Sequence, residues 1–339
     1  MPAQYEVLKD LSATSSLQEQ FVLDVLIGLS QSPKTVPSKY FYDAEGSRLF
    51  QVITDLPEYY LTKCESEILE NHKEQIAHLL ARNSFNLVEL GPGDAHKTVV
   101  LMEQFLHSNL NFQYVPIDIS ETAIQQLTKS LDQRFPKLRV HGLVSGYSNG
   151  LKWLNRLNGQ SNFVVFMGSN IGNFNKPAAR VFLQSLWNSL HNDDLVLIGF
   201  DLKKDINLML LAYNDPRGVT AQFNLNLLRR INYELGGNFD LTKFRHYANY
   251  DVYSGAMESY LVSLESQEVS IKKIGQSFHF DPWEPIHTEY SYKYLESDIQ
   301  ELAKITGFTV EAQLYDSKHY FVDSIWRVRK NGGAKGENK

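Results

Sequence analysis

The residues with the clearest chemical potential form a glycine turn that follows a short apolar-rich run. The run covers residues 86–90, Gly91 and Gly93 come directly after it, and a helical pattern starts near His96. Glycines at such a turn let a ligand approach the backbone, and the start of the helix offers unpaired N–H groups. A dinucleotide-binding turn would have a third glycine where His96 stands. The turn therefore predicts a cofactor site and makes a nicotinamide-dependent oxidoreductase the least favoured enzyme class.

A carboxylate and an ammonium group are the next candidates near this turn. Asp118 ends the following apolar run, about 25 residues after the glycines, where a carboxylate can accept hydrogen bonds from both hydroxyls of a ribose. The alternative role for Asp118 is a helix N-cap, but Ser120 is better placed for capping. Lys97 could neutralise a cofactor carboxylate, since an ordinary solvated lysine is unfavourable in the first turn of a helix.

Composition and charge exclude several other kinds of site. The chain has 339 residues, a net charge of -6 and one cysteine, Cys64, which cannot form an internal disulfide or a cysteine-based zinc site. We therefore expect no metal centre. Basic residues occur only in short pairs, so nucleic acid is not an expected ligand.

The sequence shows neither a membrane span nor a targeting segment. The longest apolar stretches, residues 163–167 and 195–200, fall far short of the roughly 20 residues that cross a bilayer. The N-terminus has no basic region followed by an apolar core, so we expect a cytoplasmic protein without membrane contacts. The 18 tyrosines exceed what an ordinary core requires, and they fit either a half-buried domain surface or a polar pocket for a small organic molecule.

The elements that must position these residues begin with a central alternation of short apolar runs and helical stretches, which is typical of a parallel sheet with crossover helices. The predicted strands are residues 86–90, 112–117, 138–143, 163–167 and 195–200. The predicted helices between them lie near residues 96–107, 122–135 and 176–190. We therefore predict a doubly wound α/β domain.

A second domain is predicted from the segments that flank and interrupt this alternation. Residues 206–235 have a helical pattern, and residues 244–280 alternate as antiparallel strands. The α/β pattern resumes with a helix at residues 291–306 and terminal strands at 309–315 and 320–328. Near the N-terminus, helices are predicted at residues 15–29, 47–54 and 62–81. We expect a cofactor-binding domain at 61–200 and 286–329, a discontinuous substrate-binding domain at 15–60 and 201–285, and a disordered tail at 330–339.

Glu89 precedes the glycine turn, and an acidic residue followed by Leu-Gly-x-Gly resembles the first motif of class I S-adenosylmethionine-dependent methyltransferases. Six dispersed motifs narrow this resemblance to the histidine-specific S-adenosylmethionine-dependent methyltransferases of the ergothioneine pathway. These motifs lie at residues 41–50, 53–60, 89–98, 168–174, 212–224 and 288–291. The resemblance covers nearly the whole chain and implies a Rossmann-like class I methyltransferase sheet with a second, discontinuous α+β substrate-binding domain. It also implies S-adenosylmethionine as cofactor and trimethylation of the α-amine of L-histidine to histidine betaine (hercynine).

The resemblance also assigns roles to individual residues. It implies that Tyr59 lies near the substrate amine, and that Asn173 and Tyr213 hold the amino-acid backbone. These three are the implied catalytic residues, whereas Glu289 and Ser291 are implied to hold the imidazole. The remaining implied substrate-binding residues are Phe50 and Gly168. The implied cofactor-binding residues are Tyr42, Gly91, Gly93, Lys97, Asp118 and Tyr147.

The chemistry of the substrate residues agrees with these roles. Asn173 follows the fourth predicted strand, at the edge where open α/β sheets bind ligands, and its amide can donate to a carboxylate and accept from an amine. Glu289 only accepts, Ser291 both donates and accepts, and a spacing of two in an extended segment points both to one side. This pair suits an imidazole with one N–H and one bare nitrogen. The alternative for Glu289 is an exposed strand carboxylate.

Two positions depart from the family pattern. Gly146 stands where the family usually has an acidic residue that contacts the adenine, and Ser259 stands where a methionine commonly lines the substrate pocket. Because serine leaves more room, the alternative functions are N-methylation of another aromatic amino acid or of a secondary-metabolite amine. A non-catalytic ligand-binding homologue is the remaining alternative. We expect a monomer that binds a small-molecule amino acid.

Overall fold

The structure, a computed structural model, describes residues 4–8, 17–81, 84–154 and 160–330. The predicted helix start at residue 15 and the predicted disordered tail from residue 331 onward lie outside these residues. The strands are β1 (Gln4–Val7), β2 (Lys34–Thr35), β3 (Phe85–Leu90), β4 (Phe112–Asp118), β5 (Arg139–Val144), β6 (Ser161–Phe166), β7 (Leu195–Asp201), β8 (Phe244–Asp251), β9 (Ala256–Ser263), β10 (Gln267–Ile271), β11 (Gln276–Phe280), β12 (Pro285–Tyr292), β13 (Phe308–Tyr315) and β14 (Phe321–Val328). The α-helices are α1 (Leu17–Ser30), α2 (Ala44–Asp55), α3 (Tyr60–Leu80), α4 (His96–His107), α5 (Glu121–Arg134), α6 (Tyr147–Leu154), α7 (Lys176–Ser189), α8 (Ile206–Tyr213), α9 (Val219–Leu235) and α10 (Glu296–Ile305).

The described residues divide into two compact units. Apart from the gaps named above, the first unit contains residues 4–8, 63–202 and 294–330, and the second contains residues 17–62 and 203–293. The return to the first unit therefore lies at residue 294 rather than at the predicted residue 286. The reason is that β12, which was expected in the cofactor-binding domain, pairs with β9 in the second unit.

The first unit is built on an eight-stranded sheet in the order β1-β5-β4-β3-β6-β7-β14-β13. Strands β1 and β3 to β7 run parallel, whereas β14 is antiparallel to both β7 and β13. All residues of β3 and β7 are buried, as expected for central strands of a parallel sheet. This sheet confirms the predicted α/β fold. Gly91 follows β3, Asp118 ends β4, and Gly168 follows β6. Because these strands are parallel neighbours, the three residues lie at the same edge of the sheet.

Side-chain caps explain where two crossover helices begin. Ser120 accepts a hydrogen bond from the Ala123 N–H at 3.2 Å and caps α5, as predicted. Asp118 instead accepts from the N–H of Ser120 at 2.8 Å. At α7, Asn175 accepts from the Ala178 N–H at 2.9 Å. Asp118 is therefore not the N-cap, and its position at the end of β4 needs another explanation.

The second unit contains a four-stranded sheet in the order β2-β12-β9-β8 and a separate hairpin of β10 and β11. Strands β12, β9 and β8 are antiparallel neighbours, and α8 and α9 pack against β8 and β9. Met257, Ser259 and Leu261 alternate along β9 and are buried. The unit thus has one buried sheet face on which polar as well as apolar side chains lie.

A β-bulge in β12 determines which of its side chains are buried. The register between β12 and β9 shifts just before Glu289, which leaves Thr288 as the extra residue. Thr288 is held by a hydrogen bond to the backbone carbonyl of Ser259 at 2.9 Å. Beyond the bulge, Ser291 is buried whereas Tyr290 is 36% exposed. The bulge therefore turns Glu289, which lies opposite Ser259, and Ser291 toward the buried face.

The helix predicted at residues 206–235 is two helices, α8 and α9. Pro216 and Gly218 lie between them, and Gly218 has a φ of 72°, in the left-handed region that favours glycine. Asp215 accepts the N–H of Thr220 at 2.7 Å and so caps the second helix. The apolar periodicity of the two helices is similar, and only this Asp-Pro-Arg-Gly segment marks the break.

Three further elements differ from the prediction. Strand β1 was not predicted, because its alternation of polar and apolar residues is only four residues long. Helix α6 was also missed, and the helix predicted at residues 291–306 begins at Glu296 because β12 occupies its first positions. Among the described residues, no helix combines the length and the apolar character that crossing a membrane requires.

Candidate active site

The glycine turn after β3 leaves open space beside its backbone. Gly91 and Gly93 have φ angles of 71° and 57°, in the left-handed region. A Cβ atom at Gly93 or at Gly146 would have no described heavy atom within 4 Å, whereas one at Gly91 would lie 2.9 Å from the hydroxyl of Tyr147. The turn therefore offers the close approach to the backbone that a bound cofactor needs, and Tyr147 lies directly beside it.

Asp118 and Tyr147 lie close together near this turn. Burial raises the pKa of Asp118 above its usual value, although the N–H groups of Ser120 and Ile119 oppose that change. Burial also raises the pKa of Tyr147, and the charge of Asp118 adds to the increase. The site thus contains an acceptor carboxyl and a neutral phenol, a combination that suits the hydroxyls of a ribose.

Glu89 joins the elements that carry the turn. Its buried carboxylate accepts a hydrogen bond from Thr98 Oγ1 of α4 at 2.6 Å and another from the hydroxyl of Tyr114 in β4. Burial raises the pKa of Glu89 to about 7, and these two hydrogen bonds oppose the increase. Glu89, the acidic residue of the motif, therefore has a structural role, because its hydrogen bonds connect β3, β4 and α4 around the glycines.

Lys97, which was expected to neutralise a cofactor carboxylate, is paired within the protein. Its ammonium group contacts the fully buried carboxylate of Glu65 in α3, which also accepts the N–H of Gly168 at 2.8 Å. Burial lowers the pKa of Lys97, but Glu65 outweighs this effect and the pKa lies above its usual value. The charge of Lys97 is thus largely balanced before any ligand binds. What it can offer a cofactor is an N–H donor that Glu65 does not take.

Asp323 of β14 adjoins this ion pair. Burial first, and the charge of Glu65 second, raise the pKa of Asp323 well above its usual range. These surroundings therefore favour the protonated form of Asp323, which can donate a hydrogen bond to Glu65. Helix α3, strand β14 and the loop after β6 meet at this buried cluster.

The loop after β6 has an unusual backbone. Gly168 and Ser169 both have left-handed φ angles, 75° and 55°, which is uncommon for serine. The Ser169 hydroxyl accepts a backbone N–H of β7 at 3.2 Å, which supports this conformation. A 3-10 helix, Asn170–Asn173, follows, and the Asn170 amide lies 3.7 Å from where a Cβ would stand at either Gly91 or Gly168. The loop thus brings Gly168 near the glycine turn, and Asn173 ends the short helix.

In the second unit, two implied site residues, Tyr42 and Phe50, contact Phe223 of α9, and a third, Tyr59, contacts Phe50. The ring centroids of Tyr42 and Phe50 are 5.6 Å apart, and those of Phe50 and Tyr59 are 6.1 Å apart. Phe223 lies 5.8 Å from Tyr42 and 5.9 Å from Phe50. Aromatic faces of this kind attract a cationic ligand group.

The polar site residues of the second unit form another group around Lys293. Tyr213 Oη lies 2.7 Å from Ser291 Oγ, and the ammonium of Lys293 donates to the first at 2.8 Å and to the second at 2.9 Å. Burial raises the pKa of Glu289 to about 7, and the charge of Lys293 and the hydroxyl of Ser259 oppose the increase. The structure thus places Tyr213 beside Ser291, next to Glu289, and adds Lys293 to the group. The spacing of the sequence predicted a common side only for Glu289 and Ser291.

Comparison with known proteins gives the family. Residues 21–328 match the sequence profile of the family described as histidine-specific methyltransferase, SAM-dependent. The chain belongs to this family. It is accordingly an enzyme, a methyltransferase that uses S-adenosylmethionine, and the predicted family, cofactor and class I methyltransferase fold are confirmed.

Named relatives cover most of the chain. Histidine N-alpha-methyltransferase of Mycolicibacterium smegmatis is 34% identical over 298 residues, which cover 88% of this chain and 92% of that protein. The protein of the same name from Mycobacterium tuberculosis is 35% identical over 271 residues, 80% of this chain and 83% of its own length. Ergothioneine biosynthesis protein 1 of Schizosaccharomyces pombe is 30% identical over 290 residues, 83% of this chain but 37% of that protein.

Sequence reasoning missed Glu65 and Lys293 as members of these groups. Lys293 follows Ser291 by two residues in an extended segment, so the alternation of side chains could have placed it on the same side. Glu65 lies 32 residues from Lys97 in another helix, and no local pattern indicates their contact. Phe223 was recognised only as part of a family motif.

Proposed function

We propose that the protein methylates the α-amine of L-histidine three times and produces histidine betaine (hercynine). The observation that supports this most strongly is the group formed by Tyr213, Ser291 and Lys293 with Glu289, since it offers hydroxyls and a carboxylate to a small polar ring. The names of the two mycobacterial relatives support the same substrate and the same nitrogen. The name of the fission-yeast relative supports a role in ergothioneine biosynthesis.

The cofactor-binding residues of this proposal are Tyr42, Gly91, Gly93, Lys97, Asp118 and Tyr147. The observations that fit the cofactor are the open backbone at Gly93 and the carboxyl of Asp118 at the end of β4, which would accept the ribose hydroxyls. Lys97 would donate to the cofactor carboxylate through a proton that does not face Glu65. When bound, S-adenosylmethionine supplies a methyl group that its positively charged sulfur has already activated.

The substrate residues would each recognise one part of histidine. Glu289 would accept the imidazole N–H, and Ser291 would bind the bare ring nitrogen. Asn173 and Tyr213 would hold the α-carboxylate and the amine, with Gly168 and Phe50 completing the substrate-binding set. A small number of well-placed polar groups is the usual basis of specificity in such sites.

The chemistry requires a neutral, well-oriented amine more than a strong base. The nitrogen lone pair forms the new N–C bond, so the amine must lose its proton before each round. An α-amine has a pKa of roughly 8, so water can take this proton without a strong base. The hydroxyl oxygens of Tyr59 and Tyr213 would accept amine N–H groups and so leave the lone pair free to react. The rings of Tyr42, Phe50 and Tyr59 would stabilise the growing methylammonium by about 0.5–2 kcal/mol.

Replacement of Glu289 by alanine tests the proposed substrate. We expect Glu289→Ala to weaken histidine binding by at least about tenfold, because a hydrogen bond to a charged group is lost. The affinity for S-adenosylhomocysteine should stay within about twofold, since Glu289 belongs to the substrate set. Titration calorimetry measures both affinities.

The matched control for this experiment is Glu268→Ala, which removes an exposed carboxylate of the same unit that pairs with His279. It should leave both affinities unchanged. Unchanged histidine affinity in Glu289→Ala would refute the assignment of the imidazole to Glu289.

Ser259 favours a second candidate function, N-methylation of a larger aromatic amino acid. Its small side chain is 1% exposed and lies directly opposite Glu289 in the neighbouring strand. A ring larger than imidazole would have more room there than beside a long apolar side chain. Competition between histidine, tryptophan and tyrosine for methylation decides between the candidates, and a higher kcat/KM for either larger amino acid would favour the second.

A further inference from the structure

Lys293 is a buried lysine in the substrate group to which the family resemblance assigned no role. It follows β12 directly, its side chain is 2% exposed, and its backbone N–H donates to the carbonyl of Gly255 at 2.9 Å. Lysine is almost never fully buried unless its ammonium is paired or hydrogen-bonded. Here the ammonium donates to both Tyr213 Oη and Ser291 Oγ.

A count of donors and acceptors shows what this lysine does to the two hydroxyls. An ammonium group can only donate, so both oxygens must accept from Lys293. The distance of 2.7 Å between Tyr213 Oη and Ser291 Oγ is a hydrogen bond that uses one of the two hydroxyl protons. The other hydroxyl proton must therefore point away from the triangle formed by Lys293 Nζ, Tyr213 Oη and Ser291 Oγ. The group as a whole presents a donor.

On the basis of the proposed function, we infer that Lys293 is a positioning residue that makes the Ser291 hydroxyl donate to the bare nitrogen of the substrate imidazole. In this arrangement Tyr213 gives its proton to Ser291, and Ser291 gives its own to the ring. Glu289, two residues earlier on the same face of β12, accepts from the ring N–H. The strand thus recognises a neutral imidazole, with one donor and one acceptor, and discriminates against the imidazolium, which has two donors.

Lys293 has a second, electrostatic effect on the same pair. Glu289 is faced by Lys293 from its own strand and by Ser259 from β9, and both lower its pKa against the effect of burial. Without the ammonium charge, the pKa of Glu289 would rise above about 7, and the carboxyl would carry a proton at neutral pH. A protonated Glu289 would no longer be a pure acceptor. The two effects act on the same ligand and can be measured separately.

Three variants test the donor effect. Lys293→Met keeps the length of the side chain and removes the donors, and it should lower kcat/KM for histidine by about tenfold to a hundredfold. Its KM for S-adenosylmethionine should stay within about twofold. Lys293→Gln keeps an N–H donor without the charge and should retain more activity than Lys293→Met. Lys243→Met, which removes a surface lysine paired with Glu265, is the control and should change neither parameter.

A double-mutant cycle separates positioning from a structural role. The cycle is measured at a pH well above the pKa of Glu289, where that carboxyl is ionised in every variant. If Lys293 acts through Ser291, adding Lys293→Met to Ser291→Ala should then lower kcat/KM by less than about twofold beyond Ser291→Ala alone. If the loss of kcat/KM in the double variant equals the product of the losses in the two single variants, the inference is wrong. Unchanged histidine kinetics in Lys293→Met would also overturn it. Where Lys293→Met does not fold, Lys293→Leu, which also lacks hydrogen-bond donors, takes its place in the same cycle.

The pH dependence of histidine binding supplies an independent readout. Histidine itself titrates identically in every sample, so the difference between wild type and variant reports on the protein. Both Lys293→Met and Lys293→Gln should move the acidic limb to higher pH, because the pKa of Glu289 rises when the charge is lost. An acidic limb that stays in place contradicts the electrostatic part. The wild-type rate with histidine tests the proposed function separately. Wild-type protein that does not methylate histidine contradicts the proposed function, whereas equal histidine kinetics in wild type and Lys293→Met contradict only the role of Lys293.

Discussion

Glu289 illustrates how burial and a neighbouring charge set the state of a single carboxyl. Burial raises its pKa to about 7, and Lys293 opposes that increase. Near neutral pH, a small shift of this pKa therefore changes the fraction of molecules in which Glu289 is ionised and acts only as a hydrogen-bond acceptor. At the residue scale, the specificity that we propose for a neutral ring would depend on Lys293 as much as on the groups that would touch the ring.

Gly91 is the glycine of the candidate cofactor site at which an added Cβ would lie closest to a neighbouring atom. A Cβ there would lie 2.9 Å from the Tyr147 hydroxyl and would have a φ of 71°. We expect Gly91→Ala to weaken S-adenosylmethionine binding by at least about tenfold, because both the backbone and Tyr147 must shift. It should also cost about 1 kcal/mol of folding free energy through backbone strain. Calorimetry with S-adenosylhomocysteine and urea unfolding measure the two effects.

Gly275→Ala is the matched control for the glycine turn. Gly275 has a φ of 72°, and a Cβ there would meet no described atom within 4 Å. The variant should therefore show a similar loss of stability with unchanged cofactor affinity. Equal cofactor affinities for the two variants would show that the contact of an added Cβ at position 91 with Tyr147 does not affect the cofactor site.

Local patterns could predict residues such as Gly93, Asp118 and Ser120, because a turn, a strand end and a helix cap each depend on a few neighbouring positions. The contact between Glu65 and Lys97 could not be predicted, since it depends on how α3 lies against the sheet. The same holds for the raised pKa of Asp323, which results from burial and from the charge of Glu65.

At the element scale, the Glu65 cluster connects α3 and α4 to the loop after β6. Its carboxylate pairs with Lys97 and accepts the Gly168 N–H. We expect Glu65→Gln to lower the free energy of unfolding by about 3 kcal/mol, because the ammonium of Lys97 is left without its counterion. Urea unfolding measures this loss. Glu67→Gln in the same helix, where the Ser317 N–H can still be accepted, should cost less than about 1 kcal/mol, and equal losses would contradict the account.

Asp323→Asn in the same cluster should, unlike Glu65→Gln, gain stability relative to the wild type as pH rises. Because burial and the charge of Glu65 raise the pKa of Asp323, its surroundings favour the protonated form, which asparagine resembles. Its raised pKa means that the folded state holds a proton that the unfolded state releases above about pH 4, so wild-type stability falls as pH rises. The variant lacks this decline. Its stability relative to wild type should therefore increase between about pH 5 and pH 8 in urea unfolding, and a constant or decreasing difference would show that Asp323 is charged.

The strands of the central sheet could be predicted because they are continuous apolar runs, buried on both faces. The bulge in β12 could not, since it depends on pairing with β9 and on the hydrogen bond of Thr288. Without it, simple alternation from the buried Ile286 would place Tyr290 rather than Glu289 on the buried face. The break between α8 and α9 was missed because their apolar periodicities resemble one helix.

At the scale of the whole molecule, the two kinds of site residue follow the division into units. The candidate cofactor residues lie in the first unit except Tyr42, and the candidate substrate residues lie in the second except Gly168 and Asn173. The interruption of the α/β alternation after β7 indicated this organisation in the sequence. The sequence predicts the return to the first unit at residue 286 rather than 294, since no local pattern shows that β12 pairs with β9.

The most direct test of the central claim is mass spectrometry of L-histidine after incubation with the purified protein and S-adenosylmethionine. The proposed function predicts that histidine gains the mass of three methyl groups and that fragmentation places all three on the α-nitrogen. Histidine of unchanged mass, or methyl groups on the imidazole ring, would contradict it.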